Sequence, residues 1–338
     1  SNIETIWHFL QKCHEKGWLY QGHRCMPWCT RCGTSLSQHE LHDSYQDMTH
    51  ISVTMHLPLV EKENEYIMVW TTTPWTLSAN TALAVHPDLD YLKVEWEGKI
   101  LYLSEGTKER LKKNSKIVGK IKGKELIGLH YKGPTEIPAR KDVELKIIGW
   151  DAIGENEGTG VVHIAPGCGA EDFELSKVEN LAVITPIDES GYYTSEKFGF
   201  LHKKHAGQVA ELVFEHLKEN GYMYATEEYE HRYPVCWRCK EELVFRLVDE
   251  WFIKSDEIRE PMKKNAAKVK WIPAYAGMHM QNWLDNMGDW CISRRRFWGL
   301  PLPFYKCDKC DKWTIIGSKK ELEQLAVNGM EQLEELHR

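Results

Sequence analysis

The chain has 338 residues, of which 42% are apolar and 14 are tryptophans, so it is long enough for two domains or one elaborated domain with a sizeable core. A formal net charge of −7 argues against a general electrostatic attraction to nucleic acid, although a local basic face is compatible with it. No apolar segment is long enough to span a membrane and no signal peptide is visible, so we expect a cytoplasmic protein without membrane contact.

The hydrophobic pattern divides the chain into a helical start, a strand-rich middle and a mixed end. Apolar residues recur at helical spacing near the N-terminus, at Ile3, Ile6, Trp7, Leu10 and Cys13. From about residue 46 to 230 the pattern favours strands, and alternation in residues 92–96 and 100–102 around Glu97-Gly98 predicts a hairpin. Residues 203–220 predict an amphipathic helix that ends at Gly221.

A run of hydroxyl side chains follows one of the predicted buried strands. Residues 66–70 are mostly apolar, and three threonines, Thr71, Thr72 and Thr73, separate them from Pro74. The proline lacks a backbone donor and biases Thr73 towards an extended conformation. The pattern predicts polar groups at the edge of a sheet, or simply a threonine-rich strand end, since threonine favours strands.

A second segment combines a glycine-rich turn with a histidine and an aspartate. Gly158 and Gly160 permit a tight turn or a close backbone approach before an apolar run that contains His163. A single histidine in such a run is more often a hydrogen-bonded structural residue than a catalyst. Asp172 follows a second turn and is compatible with the cap of a helix that begins near Glu171. Neither residue identifies a site alone.

Two Cys-x-x-Cys pairs lie far apart in the sequence. Ten cysteines in a chain of this size, several of them paired in this way, favour a reducing compartment and metal binding over disulfides. Each pair supplies two thiolates in a tight turn, and two such turns complete a tetrahedral zinc site without a free coordination position. The pattern therefore predicts a structural zinc, and two unrelated reduced pairs are the alternative. The predicted ligands are Cys29, Cys32, Cys236 and Cys239.

These motifs together resemble those of isoleucyl-tRNA synthetase, a class I aminoacyl-tRNA synthetase. Residues 70–80 resemble its editing motif in the isoleucyl form, because the valyl and leucyl enzymes have an arginine shortly after their threonines where this chain has Pro74 and Trp75. Residues 158–173 resemble the second editing motif. The two cysteine pairs resemble the segments where the editing insertion leaves and rejoins the catalytic core, and residues 289–299 resemble a core segment shared with the valyl enzyme.

The chain also departs from the family pattern. The family often has histidine at the position of Cys168 and aspartate at that of Glu171, and Arg295 replaces the usual glutamine. The His-x-Gly-His and Lys-Met-Ser-Lys-Ser segments, which hold ATP in class I synthetases, are absent from the sequence. We therefore expect an internal fragment that cannot activate an amino acid, which opposes the interpretation as an ATP-dependent ligase.

The resemblance implies a fold and a domain organisation. It implies an α+β protein with a strand-rich, barrel-like editing domain over residues 47–232. That domain is expected to be inserted into a zinc-stapled remnant of a class I α/β core, formed by residues 1–46 and 233–338. Cys307 and Cys310 form a third pair. By resemblance, this pair is half of a second zinc site whose other ligands lie further along the chain. Within the present sequence, Cys291 and His279 are conceivable ligands.

The implied reaction is the hydrolysis of valine from the tRNA for isoleucine by a monomeric protein. The ester is already activated, so binding, positioning and electrostatics suffice without a protein nucleophile. By resemblance, Asp172 contacts the α-ammonium group, Thr72 and Thr73 position the water, the ester or the adenosine, and His163 faces the branched side chain. The other residues implied in substrate binding are Thr71, Trp75 and Asn80. The alternative is a zinc-stabilised tRNA-binding module without an activity of its own.

Two basic segments offer contacts to RNA. Seven lysines and one arginine between Lys108 and Lys124 suit phosphate contacts, although a solvated charged surface is the slightly favoured explanation. Arg294, Arg295 and Arg296 with Trp298 are compatible with RNA contact or with folding of the core.

Overall fold

The computed structural model describes residues 2–37, 40–41, 44–295, 299–333 and 336. The chain divides into two compact units. The central unit comprises residues 24–248, and the terminal unit comprises residues 1–23 and 249–338. The chain passes between the units within two strands, Leu19–Cys29 and Val244–Ile253. The domain boundaries predicted at residues 46/47 and 232/233 stay a prediction.

Helices and strands are mixed in the described residues, as the α+β prediction requires. The α-helices are α1 (Asn2–Glu15), α2 (Ala170–Glu179), α3 (Ala210–Glu219), α4 (Asp256–Ala266), α5 (Tyr275–Asp285) and α6 (Lys319–Leu325). The strands of the first half are β1 (Leu19–Cys29), β2 (Thr34–Ser35), β3 (Tyr45–Pro58), β4 (Glu65–Thr71), β5 (Ala82–Val85), β6 (Asp90–Trp96), β7 (Lys99–Ser104) and β8 (Lys116–Lys122). The remaining strands are β9 (Lys146–Gly149), β10 (Val161–Ile164), β11 (Met223–Pro234), β12 (Val244–Ile253), β13 (Trp290–Cys291), β14 (Phe304–Lys306) and β15 (Trp313–Ile315).

The predicted N-terminal helix is confirmed and lies in the terminal unit. Because its apolar residues recur at helical spacing, α1 buries one face, with Trp7, Leu10 and Cys13 each at most 3% exposed. Leu10 and Cys13 pack with Leu19 and Ile315 in one hydrophobic cluster of this unit. Strands β14 and β15 form an antiparallel hairpin in the same unit.

The central unit is built on a six-stranded sheet in the order β11-β3-β4-β7-β6-β8. Neighbouring strands are antiparallel except β4 and β7, which run parallel. The predicted hairpin is confirmed, since β6 and β7 pair from Tyr91–Ser104 to Trp96–Lys99 around Glu97-Gly98. Glu97 and Gly98 both have positive φ, which the tight turn requires.

A separate three-stranded sheet, in the order β10-β5-β9, shows that the predicted barrel is wrong. In the part of the chain that the structure describes, no sheet closes on itself. Strands β11 and β8 lie at the two edges of the larger sheet and do not pair with each other. The physical reason lies at Pro74, which has no N–H for a strand ladder. The chain turns there into the 3₁₀ helix Pro74–Ala79, and β5 then pairs in the second sheet.

Helix α3 is shorter than predicted. The predicted span begins at residue 203, whereas the helix begins at Ala210. Lys203 has φ +63°, and the ring of His205 accepts a hydrogen bond from the Gly207 N–H, so local turn contacts replace the first helical turns. The buried face and the stop at Gly221 agree with the prediction, since Val213 and Leu217 are fully buried. No helix among the described residues has the length and apolar character needed to cross a membrane.

Candidate functional site

The threonine run forms a compact hydroxyl cluster at the end of β4. Thr73 donates its N–H to Thr71 Oγ1 at 3.1 Å, and Thr76 donates its hydroxyl to the Thr73 carbonyl at 2.8 Å. Pro74 occupies the first position of the 3₁₀ helix, where no N–H is needed, and therefore begins the helix directly after Thr73. Thr72 and Thr73 stay partly exposed, while Thr71 and Thr76 are buried.

Both sequence motifs line one small cavity. Its volume is about 230 Å³, and its walls come from the end of β4, the 3₁₀ helix, β10 and the start of α2. The structure thus brings these two distant segments together around one space. The polar lining includes Thr71, Thr72, Thr73, Thr76, His163 and Asp172.

Two glycines allow the walls to approach closely. Gly160 has φ +68°, and a Cβ there would lie 2.2 Å from Ser104 Cβ, so only glycine fits between β10 and the neighbouring strand β7. A Cβ on Gly169 would lie 2.9 Å from the carboxyl carbon of Asp172. The first turn of α2 therefore packs directly against the Gly169 backbone.

Asp172 contributes a carboxylate to the cavity and does not cap α2. It is the third residue of the helix, and its Oδ2 accepts the Ala165 N–H at 2.8 Å. Among the described residues no donor reaches Oδ1. Burial, supported by the nearby charge of Glu171, raises the pKa of Asp172 to about 6, although the Ala165 N–H acts in the opposite direction. A cation beside this carboxylate would offset the free-energy penalty of ionising it in a buried place.

His163 is held between two side chains of the wall. Strand β10 pairs with β5, and this places the ring where Nε2 lies 2.8 Å from Thr76 Oγ1 and Nδ1 lies 3.3 Å from Asn80 Nδ2. Burial, together with the charge of Arg140, lowers the pKa of His163 to about 4. The imidazole is therefore neutral at physiological pH and acts as a hydrogen-bonded wall.

The other predicted substrate-binding residues lie around the cavity and not all within its lining. Asn80 is fully buried behind His163 and does not line the cavity. Trp75 lines a neighbouring groove of about 610 Å³. Thr72 and Thr73 line both spaces, so the cavity and the groove meet at these two residues. Sequence reasoning missed Thr76, whose only signal was its position three residues after Thr73.

The two predicted cysteine pairs come together in the central unit. Their Sγ atoms all lie within 4.8 Å of one another, with Cys29–Cys239 at 3.4 Å, Cys32–Cys239 at 3.6 Å and Cys32–Cys236 at 3.9 Å. Tetrahedral zinc–thiolate bonds of about 2.3 Å would set sulfurs about 3.8 Å apart, so the donor set fits a metal ion. The shortest of these sulfur separations, 3.4 Å, is well beyond a disulfide bond of about 2.05 Å, so no disulfide joins the four cysteines in the structure.

The two cysteine turns share one backbone design. The N–H of Gly33 donates to the Cys29 carbonyl, and the N–H of Lys240 donates to the Cys236 carbonyl, both at 2.9 Å. Each of these donors directly follows the second cysteine of its pair and has positive φ, +64° at Gly33 and +63° at Lys240. The left-handed residue lets each chain turn so that both thiols face the same point.

The third cysteine pair does not form such a cluster. Cys307 and Cys310 lie between β14 and β15 and are exposed. Within the described ranges, no third cysteine, histidine or carboxylate lies close enough to complete a metal site with them. The half-site assignment stays a prediction.

Ion pairs neutralise part of the predicted basic segment. Lys120 lies 3.1 Å from Glu105 and 3.3 Å from Asp90, while Arg110 pairs with Glu227 at 2.5 Å. These contacts favour the interpretation as a solvated charged surface. In the second basic segment, residues 296–298 lie outside the described residues.

Two solved structures align with part of this chain at low TM-scores. The crystal structure of GlLeuRS-CP1 aligns with a TM-score of 0.44 and 13% identity, over 54% of this chain and 100% of that chain. The P. knowlesi cytosolic leucyl-tRNA synthetase editing domain aligns with a TM-score of 0.41 and 12% identity, over 54% and 98% of the two chains. At TM-scores below 0.5 neither similarity supports a conclusion about this chain.

Sequence similarity extends over nearly the whole chain. Isoleucine–tRNA ligase of Methanothermobacter thermautotrophicus is 38% identical over 99% of this chain and 32% of its own length. Isoleucine–tRNA ligase of Pyrococcus horikoshii is 40% identical over 96% of this chain and 32% of its own length. That of Methanocaldococcus jannaschii is 39% identical over 99% of this chain and 34% of its own length. The chain thus spans about a third of the length of these relatives. The family model of the tRNA synthetases class I (I, L, M and V) matches residues 1–338, and the chain belongs to this family.

Proposed function

We propose that the chain is the editing region of an isoleucine-specific synthetase and hydrolyses the ester between valine and the tRNA for isoleucine. One observation carries the proposal: a carboxylate, a threonine cluster and a neutral histidine line a cavity of about 230 Å³ that meets a larger groove. The relatives at 38–40% identity, which are isoleucine–tRNA ligases, support the assignment of the amino acid and the tRNA.

The carboxylate of Asp172 binds the α-ammonium group of the substrate. Its Oδ2 is fixed by the Ala165 N–H, which leaves Oδ1 for the incoming cation. Burial makes ionisation of this carboxyl unfavourable in the free protein. A bound ammonium group offsets that free-energy penalty through a charge-assisted hydrogen bond. This contact anchors one end of the amino acid and thereby orients its ester.

The ester lies at Thr72 and Thr73. These residues line both the cavity and the groove, so an ester placed there directs its amino acid into the cavity and its adenosine into the groove. Their partly exposed hydroxyls position the attacking water and the ester carbonyl. Holding two reactants in place supplies much of the rate enhancement for an ester that is already activated.

His163 limits the size of the side chain that the cavity accepts. The ring is neutral and hydrogen-bonded at both nitrogens, so it serves as a wall and not as a general base. A hydrophobic pocket discriminates one methylene by only about 1–3 kcal/mol, a magnitude for which isoleucyl-tRNA synthetase is itself the standard example. A second site that excludes the larger amino acid therefore adds the missing selectivity.

The zinc assignment is a second part of the proposal. The cluster of Cys29, Cys32, Cys236 and Cys239 holds a structural zinc ion that links the turn after β1 to the turn after β11. Four thiolates leave no open position for a water molecule, so the ion would stabilise the fold and take no part in hydrolysis.

A single-turnover assay distinguishes the enzyme from a binding module. With the protein in excess over valyl ester of the isoleucine tRNA, we expect ester loss well above the rate without protein. Binding of the tRNA with no acceleration of ester loss would instead support the alternative of a tRNA-binding module without an activity of its own.

Shrinking the wall should change specificity. His163→Ala removes the ring that faces the amino-acid side chain, so we expect hydrolysis of the isoleucyl ester to rise relative to the valyl ester. The measurement is the ratio of the two single-turnover rates. His163→Gln, which offers an N–H in place of Nε2 but keeps much of the bulk, is the control. An equal loss for both esters in His163→Ala would remove the size-filter role.

A further inference from the structure

A row of aromatic side chains follows one edge of the six-stranded sheet. Strand β11 lies at that edge and pairs with β3, and alternate residues of a strand point to the same face. Tyr229, His231 and Tyr233 therefore share one face. His50 joins them from β3, because it is the register partner of Tyr229. Together with Trp70 near the end of β4, these five rings form what we call the ring ladder.

The rings of the ladder are in contact with one another. The centroid of the Tyr229 ring lies 5.0 Å from that of Trp70 and 5.4 Å from that of His231. The His231 centroid lies 5.6 Å from that of Tyr233. The His50 ring contacts both of the latter, with centroids 5.0 Å from His231 and 4.9 Å from Tyr233. These separations are typical of packed aromatic pairs, so the ladder is continuous.

Hydrogen bonds hold the lower part of the ladder in place. His50 Nδ1 lies 2.8 Å from His231 Nε2, so one ring donates to the other. Tyr233 donates its hydroxyl to the Leu243 carbonyl at 3.0 Å. A surface that is fixed in this way before a ligand arrives loses little side-chain entropy on binding.

The two ends of the ladder reach the two spaces of the candidate site. Trp70 lines the cavity, whereas His50 and Tyr233 line the groove. Between them Tyr229 is 37% exposed, so part of its ring is open to solvent. The ladder therefore runs along the surface from one space to the other, with an open ring at its centre.

The charge beside the ladder is largely balanced. The guanidinium carbon of Arg110 lies 5.0 Å from the centroid of the Trp70 ring, and Arg110 pairs with Glu227 at 2.5 Å. Burial, together with the neighbouring His50, lowers the pKa of His231, so that ring is neutral at physiological pH. A neutral aromatic surface suits the faces of nucleobases better than it suits phosphate groups.

We propose that the ring ladder binds the single-stranded nucleotides that precede the terminal adenosine of the tRNA, with Tyr229 as its stacking platform. This inference rests on the proposed function, in which the ester lies where the cavity and the groove meet. The preceding nucleotides leave from that place, and the ladder borders both spaces. Aromatic side chains stack on the bases of single strands, and they tolerate any sequence because every base has a π-face.

The test compares two valyl esters under single-turnover conditions, one of the isoleucine tRNA and one of adenosine alone. Tyr229→Leu keeps an apolar side chain but removes the ring. We expect its second-order rate constant for the tRNA ester to fall about tenfold, which corresponds to about 1.4 kcal/mol. Hydrolysis of valyl-adenosine should stay unchanged, because that ester has no preceding nucleotide to stack. The salt dependence of the tRNA reaction should also stay unchanged, since no phosphate contact is lost.

Two matched variants serve as controls. Tyr229→Phe keeps the ring and should hydrolyse the tRNA ester at nearly the wild-type rate. Tyr45 is 39% exposed and has Pro234 as its register partner, so it lies on the opposite face of the same two strands. Tyr45→Leu should therefore leave both reactions unchanged. If Tyr229→Leu fails to fold, Tyr229→Thr replaces it, because threonine also favours strands.

Three results would overturn the inference. The first is hydrolysis of the tRNA ester at the wild-type rate by a folded Tyr229→Leu protein. The second is an equal loss with valyl-adenosine, which would place the effect in the cavity. The third is the same loss in Tyr45→Leu.

An affinity measurement separates this inference from the proposed function. If the wild-type protein accelerates the loss of neither ester, the proposed function fails. The affinity for the uncharged isoleucine tRNA then decides whether the ladder binds RNA. We expect that affinity to be about tenfold weaker in Tyr229→Leu than in the wild type, and equal affinities would contradict the inference.

Discussion

Asp172→Asn is expected to reduce hydrolysis of the valyl ester by a factor on the order of 100 or more while the protein stays folded. The amide keeps an oxygen for the Ala165 N–H, so the local backbone contact survives. It loses the negative charge that holds the α-ammonium group. The measurement is the single-turnover rate with saturating protein, alongside a thermal unfolding curve.

The same variant should become relatively more stable as the pH rises. The folded protein raises the pKa of Asp172 from 3.8 to about 6, so folding favours the protonated carboxyl. The stability that this residue contributes is present below pH 4 and is lost as the pH rises through about 6. Relative to that of the wild type, the free energy of unfolding of the asparagine variant should therefore be roughly 2–3 kcal/mol higher at pH 8 than at pH 4. Hydrolysis by the wild type should rise over the same pH range, because the carboxylate is the active form.

Glu171→Gln provides the matched control for Asp172. It removes the same charge one residue earlier, from a side chain that is exposed, and should leave hydrolysis nearly unchanged. A well-folded Asp172→Asn protein that hydrolyses the ester at the wild-type rate would remove Asp172 from the site.

Removal of the metal is expected to have the largest effect on stability. Structural zinc sites of this kind contribute on the order of 10 kcal/mol of binding free energy, so stripping the ion should lower Tm by about 10 °C or more. Because Cys29 and Cys236 lie in a hydrophobic cluster with Leu36 and Leu243, loss of the ion should loosen that packing before it changes the cavity. We expect one zinc ion per chain in the purified protein, measured by elemental analysis.

Two double variants locate the ion. Cys236→Ser with Cys239→Ser should abolish zinc binding. Cys307→Ser with Cys310→Ser, at the exposed hairpin of the terminal unit, should leave one ion per chain. Zinc-free wild-type protein with an unchanged Tm would contradict the structural role, and loss of the ion only in the second variant would place the site elsewhere.

Local patterns in the sequence predicted the elements around the site but not their connections. The strand before Thr71, the turn at Pro74 and the two cysteine turns follow from short-range rules, and each is observed. Asp172 and His163 were assigned to a site only through the family resemblance. Their meeting in one cavity depends on the pairing of β10 with β5, which no local pattern specifies.

The rest depended on long-range packing. The barrel was implied by the family resemblance, whereas the break at Pro74 separates the strands of the six-stranded sheet from those of the three-stranded sheet. Tyr131, whose buried hydroxyl donates a hydrogen bond to Asn80 Oδ1, has no pattern that marks it, because the two residues belong to distant segments and the contact forms only in the folded core. The left-handed conformation of Lys240 is equally invisible, since lysine shows no preference for it.

The most direct test of the account compares the valyl and isoleucyl esters of the same isoleucine tRNA under single-turnover conditions. A cavity of about 230 Å³ with His163 as a wall predicts rapid loss of the valyl ester and loss of the isoleucyl ester slower by at least about tenfold, one methylene being worth about 1–3 kcal/mol. Equal rates for the two esters, or no acceleration of either by a folded and zinc-loaded protein that binds the tRNA, would contradict it.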